Sequence, residues 1–202
     1  MSRERTWWSS PPVETLIPLS SPWRWNGADT PCCKVRSAEY PQSRTTHTIM
    51  NPEQRLQTAG LSLPAAYSPS GNYLPFRRAG QLLFVSGHGP RLDNGTYIAG
   101  QLATPDDVPA GYAAAQLATL NMLAAVKLAV GDLGKVQAVL KVLGLVNSTA
   151  DFKQHPKVID GCSDTLVAAF GDAGQHARSA VGMASLPHGM MVEVEAVFLV
   201  QD

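Results

Sequence analysis

At 202 residues, 45% of them hydrophobic, the chain can build one sizeable core. Basic and acidic residues both number 16, so the formal net charge is zero and no global field would draw nucleic acid or an anionic membrane to it. No uninterrupted apolar run reaches the roughly 18 residues of a membrane helix, so neither membrane nor nucleic acid is expected as a partner.

Residues 1–49 differ from the rest. They hold all four tryptophans, two adjacent cysteines (Cys32 and Cys33) and six scattered prolines, with no period of two or 3.6. "MSRERTWWSSPP" lacks the apolar stretch of a secretory signal. The segment reads as a disordered extension, or as an artefact of start-codon choice, since "MNPEQRLQTAGLSLP" from Met50 reads as a natural beginning. The domain is expected over 50–202. The third cysteine, Cys162, sits in a helical setting and reads as a small buried residue in a reducing, cytoplasmic compartment.

From Met50 onward regular elements are predicted. "GQLLFVSG" (80–87) is a strand closed by glycine, and Asn94-Gly95 in "RLDNGTYIAG" signals a hairpin. A long helix follows, capped by Thr104 or by Asp106 or Asp107, with Pro109 in its first turn and Gly131 at its end. It is apolar nearly all round, so it must be covered on most sides. "KVQAVLKVLGLVN" (135–147) reads as a strand with Val136, Ala138, Leu140 and Val142 on one face. A second helix runs from a cap at Asp151, breaks or restarts at Pro156 and closes at Gly171. Two strands flank the turn at Pro187-His188-Gly189. This order predicts an α+β domain, one mixed sheet with helices packed on one face.

The last strands carry the chemistry. Val192, Val194, Ala196, Phe198 and Val200 alternate toward the helices, which leaves Glu193 and Glu195 on the other face. Met191, Val197 and Leu199 share that second face, so it is not simply wet and wants a partner, as an oligomer would supply. Arg178 alternates with Ala180 and Gly182, small residues that leave room beside a guanidinium. It reads either as a salt-bridge partner of Glu193 or Glu195, or as a fork for a ligand carboxylate. Ser86 and His88 lie in one glycine-flanked turn, but there is no G-x-S-x-G elbow for a hydrolase triad. The five histidines show no metal-ligand spacing, and no nucleotide loop is present, so no metal and no cofactor is expected.

"FVSG" followed by helix, strand, helix and then R-S-x-V-x-x-x-x-L-P-x-x-x-x-V-E-V-E-A (178–196) resembles the YjgF/Rid family of reactive intermediate deaminases. That family is also described as L-PSP endoribonuclease-like or chorismate-mutase-like. The resemblance runs from about Leu63 to Gln201, and the N-x-x-A-D-F segment at 147–152 is similar to a subgroup with a longer N-terminal stretch. It implies a chorismate-mutase-like fold, a homotrimer and ligand clefts between subunits. It implies Arg178 as the carboxylate binder, Glu193 as the residue that handles water, and Ser86 and Tyr73 as substrate contacts. His88 stands where the family has glutamine, and Ala180 where it often has cysteine, so His88 becomes a possible pocket residue. The implied reaction is hydrolysis of a 2-imino or enamine acid to a 2-keto acid and ammonia. The alternative is a non-catalytic trimer that binds small carboxylates. Chorismate mutase chemistry rests on fold likeness alone, and ribonuclease activity sits poorly with zero net charge.

Overall fold

The computed structural model describes residues 50–69 and 71–202, so the expectation for residues 1–49 lies outside them. The described chain runs α1 (Pro52–Thr58), β1 (Phe76–Ala79), β2 (Leu82–His88), α2 (Val108–Val130), β3 (Val136–Asn147), α3 (His155–Phe170), β4 (Ala177–Met183) and β5 (Val192–Val200). The strands form one sheet in the order β1-β2-β5-β3-β4. Only β3 and β4 are parallel, joined across α3, and the other neighbours are antiparallel. The mixed α+β sheet is as expected. β1 and β4 are its edges.

β5 shows why the helices lie on one side. Its residues 192, 194, 196, 198 and 200 are at most 4% exposed and merge with α2 and α3 in one core. α2 is buried almost all round, including Thr119 and Asn121. The Thr119 hydroxyl donates to the Ala115 carbonyl at 2.8 Å, and the Asn121 amide donates to the Gly89 and Arg91 carbonyls at 3.1 and 3.0 Å. These bonds let two polar side chains sit in an apolar core without loss. The helix is apolar enough to cross a membrane by composition, but 67% of its most apolar stretch is buried within the protein. It is the core helix. Cys162 is fully buried, and burial pushes its thiol up to about 11.

Four local readings are corrected. α1 was not anticipated, although Asn51, Pro52 and Gln54 form an N-terminal box: Asn51 Oδ1 accepts from the Glu53 amide at 3.0 Å, and Gln54 Oε1 accepts from the Asn51 amide at 3.3 Å. A hairpin that was not anticipated forms between β1 and β2 around Gly80, and the one expected at Asn94-Gly95 is short, with the single bridge Arg91 to Tyr97 and the Leu92 amide donating to the Thr96 carbonyl at 2.8 Å. In β3, register shifts between Val136 and Ala138 and between Val139 and Lys141 break the alternation. Val139 and Val142 therefore enter the core, and Leu140 is left 39% exposed. α3 begins at His155 with Pro156 in its first turn, so Asp151 caps nothing.

α2 and α3 approach closely because Gly161 has no side chain. A Cβ there would run into the Tyr112 carbonyl, which cannot rotate away. Gly161→Ala gains helix propensity of about 1 kcal/mol but forces the helices apart, at roughly 1–3 kcal/mol. We expect a net loss, seen as a melting temperature lower by several degrees in thermal circular dichroism. An unchanged melting temperature would show that the crossing is not this tight.

Candidate functional site

The face of the sheet away from the helices has no covering layer among the described residues. Phe84 is 45% exposed, Leu82 36% and Leu140 39%. A hollow of about 630 Å³ lies on this face, walled by Leu74, Phe84, Leu143, Val197, Ser86 and Glu195 among others. At the end of the face nearest the Pro187-His188-Gly189 turn lies a second cavity of about 280 Å³. It holds Tyr67, Tyr73, Tyr97, His188 and Glu193 over the backbone of Gly87 and Gly89.

A β-bulge builds the floor of that cavity. The β2–β5 register shifts between Val85 and His88, so Ser86 and Gly87 fall outside the ladder. Gly87 lies directly under Glu193, whose carboxylate occupies the space a Cβ would need. The Ser86 hydroxyl donates to the Leu74 carbonyl at 2.7 Å, and its amide donates to the Pro75 carbonyl at 3.0 Å. Ser86 thus ties the turn to the segment that carries Tyr73. Burial raises the Glu193 pKa first, and the neighbouring Glu195 charge raises it further. A half-buried carboxyl with a raised pKa over a glycine turn holds and accepts a proton more readily than a solvated glutamate.

Loops supply the rest of the cavity, and no sequence period pointed to them. Tyr97 follows the Asn94-Gly95 turn and stacks on His188, with ring centroids 5.0 Å apart and planes within 5°. His188 has φ +57°, a left-handed conformation that histidine adopts more readily than most residues. Tyr67 lies under the Arg91 guanidinium, 4.7 Å from its centroid. Burial pushes its phenol up to about 12, with the Tyr97 phenol adding to the rise and Arg91 opposing it. The sequence signals for this group were two turns, Asn94-Gly95 and Pro187-His188-Gly189.

The other anticipated residues divide between the two sides of the sheet. His88 is 4% exposed and points into the core, its ring 5.6 Å from Tyr67. It sits behind the cavity rather than lining it. Its Nδ1 is 2.7 Å from the Ser86 carbonyl oxygen, so that nitrogen carries the proton and the Ser86 hydroxyl is not paired with it. Burial lowers its pKa, against the pull of that carbonyl. The ring is a neutral structural element.

Arg178 is opposite Val142, which in turn is opposite Ala196. Both are core residues, so Arg178 lies on the helix side of edge strand β4. Glu193 and Glu195 are opposite Leu145 and Leu143, on the uncovered face. A salt bridge from Arg178 to either glutamate, one of the two readings of its sequence, therefore does not form within the protomer. The guanidinium pairs instead with Asp160 of α3, Nη1 to Oδ1 at 2.8 Å, and donates to Ser163 Oγ at 2.9 Å. The Ala180 that follows faces the same side and packs against the core. Among the described residues, no three His, Cys, Asp or Glu side chains converge as a metal site.

A protein of Trypanosoma cruzi, TCP17, is 41% identical over 143 residues, 70% of this chain and 89% of its own. The solved structure of Atu1372 from Agrobacterium tumefaciens, of unknown function, is 41% identical with a TM-score of 0.68, covering 74% of this chain and 92% of that one. A "putative endoribonuclease" from Shewanella oneidensis is 36% identical with a TM-score of 0.70, covering 74% and 99%. Residues 53–199 match the family model described as "YjgF/chorismate_mutase-like, putative endoribonuclease". The strand order, the signature from Arg178 to Ala196 and these matches agree: the chain belongs to the YjgF/chorismate mutase-like family.

Proposed function

We propose that the protein is a homotrimeric deaminase that hydrolyses 2-imino and enamine acids to 2-keto acids and ammonia. The observation that carries this reading is the Glu193 carboxylate, of raised pKa, seated on Gly87 in a tyrosine-lined cavity at the uncovered face. Arg178 and Glu193 lie on opposite sides of one sheet, so a single protomer cannot close both around one ligand. The apolar uncovered face and the free edge of β4 fit an assembly in which Arg178 of one protomer meets Tyr73, Ser86 and Glu193 of the next. The buried free thiol of Cys162 fits a reducing compartment such as the cytoplasm.

In this reading the Arg178 fork holds the carboxylate and so places C2 beside a water. Water adds to C2 while Glu193 takes one of its protons and returns it to the imine nitrogen, giving a carbinolamine. Glu193 then takes the hydroxyl proton and delivers it to the amine. The C–N bond breaks, and ammonia and the 2-keto acid leave.

The test is keto-acid and ammonia release from 2-iminobutyrate or 2-iminopropionate generated in situ, run beside light scattering. Release above the spontaneous rate and a trimer mass are expected. A monomer mass at micromolar concentration would overturn the shared cleft. Binding of a 2-keto acid without any acceleration would leave a carboxylate-binding trimer in place of an enzyme.

A further inference from the structure

Arg178 is anchored by a directed chain of hydrogen bonds that begins two residues before it. His176 Nδ1 lies 2.6 Å from the Gly174 carbonyl oxygen. A carbonyl only accepts, so Nδ1 carries a proton. His176 Nε2 lies 3.1 Å from Ser163 Oγ, and Arg178 Nη1 donates to that same oxygen at 2.9 Å. A guanidinium only donates, so Ser163 Oγ accepts this bond; with Nδ1 holding the one proton of a neutral ring, Nε2 is bare and takes the Ser163 proton. The whole chain then runs one way: Arg178 to Ser163, Ser163 to His176, His176 to Gly174. It requires the neutral ring protonated on Nδ1. An imidazolium would put a donor against an oxygen that already accepts from Arg178, and a second cation close to the first. Burial lowers the His176 pKa most; the Gly174 carbonyl opposes that and the Arg178 charge adds to it, so the ring is neutral at pH 7.

The second anchor, Asp160 Oδ1, also takes Nη1, at 2.8 Å. Both anchors thus consume one nitrogen of the guanidinium. The edge formed by Nε and Nη2 is the pair of donors that a bidentate carboxylate requires. Ser163 and Asp160 project from α3, which is rigidly packed, so the fork is held by a helix rather than by the edge strand alone. We propose that His176, acting through Ser163, positions the Arg178 guanidinium so that its Nε–Nη2 edge faces the ligand carboxylate. His176 and Ser163 are positioning residues, and the inference rests on the carboxylate role given to Arg178 above.

Long-range nitrogen–proton correlation spectra of the intact protein at pH 7 test the chain without any ligand. His176 is expected as the Nδ1–H tautomer with a bare Nε2, and an Nε2–H tautomer or an imidazolium would overturn the proposal. Calorimetry with 2-ketobutyrate tests its purpose. Ser163→Ala should weaken binding roughly ten- to a hundredfold, the size of one lost bond to a charged group, and His176→Ala, which loses a neutral bond, up to roughly tenfold. His176→Gln, whose amide can accept from Ser163 and donate to Gly174, should restore most of it. Ser163→Ala should add nothing in an Arg178→Ala background. If Ser163→Ala binds like wild type while Arg178→Ala has lost binding, the positioning role falls and the carboxylate role of Arg178 stands. If Arg178→Ala itself binds like wild type, the reading beneath falls and takes this inference with it.

Discussion

Arg178→Ala should abolish imine hydrolysis and nearly abolish 2-keto-acid binding. Removing one partner of a desolvated bidentate pair costs roughly 2–5 kcal/mol, which weakens binding about 30- to 5,000-fold. Arg178→Lys should recover little, because an ammonium cannot reproduce the planar fork and cannot serve Asp160, Ser163 and a ligand at once. The fold should survive. The Asp160 side chain left behind is 48% exposed and can be solvated, so the penalty of an unpaired buried charge does not arise. Calorimetry with a 2-keto acid, with light scattering to confirm assembly, reads both effects. An Arg178→Ala protein that hydrolyses the imine like wild type would mean that Arg178 only ties β4 to α3.

Glu193→Gln should separate binding from turnover. The amide is nearly isosteric, fits over Gly87 and keeps the ligand site, but it is a far poorer base, so the rate should fall about 10²- to 10⁴-fold. The same change should stabilise the protein at neutral pH. The folded-state pKa of Glu193 is raised, first by burial and then by Glu195, so ionising it costs more in the folded chain than in the unfolded one. That cost is absent below the ordinary glutamate pKa and is reached in full once the pH has risen through the raised value. Glu193→Gln should therefore melt higher than wild type at pH 7 and lose the advantage as the pH falls below the carboxylate range. Wild-type turnover should fall as acid protonates Glu193, and Glu195→Gln should move that acid limb to lower pH while leaving the part due to burial. A Glu193→Gln protein that turns over at the wild-type rate would remove Glu193 from the chemistry.

The sequence by itself determined much of the framework. The alternation from Val192 to Val200 marked which face of β5 is covered, because one side of a strand meets helices and the other does not. The apolar circumference of α2 required cover on most sides, and the break or restart read at Pro156 falls where α3 begins. The weaker signals were present but short. Asn51, Pro52 and Gln54 announce α1, a helix of only seven residues. The "FRRA" of β1 has no apolar alternation and is a strand only because β2 pairs with it.

What tertiary structure alone decided is which side of the sheet Arg178 faces and which loops meet the glutamate face. Arg178, Ala180 and Gly182 share a face by period two, yet nothing local says whether that face meets helices or solvent. The pairing of Arg178 with Val142, and of Val142 with Ala196, settles it on the helix side, 18 residues in sequence from its partner Asp160. Bulges act in the same way: two in β3 move Leu140 out of the core, and the one in β2 sets Gly87 under Glu193 while turning His88 inward. Tyr67, Tyr97 and His188 come from three separate loops and converge with no shared period at all. Periodicity reports the order of side chains along one element. Register, bulges and loop closure depend on contacts between distant segments, and those contacts exist only once the chain has folded.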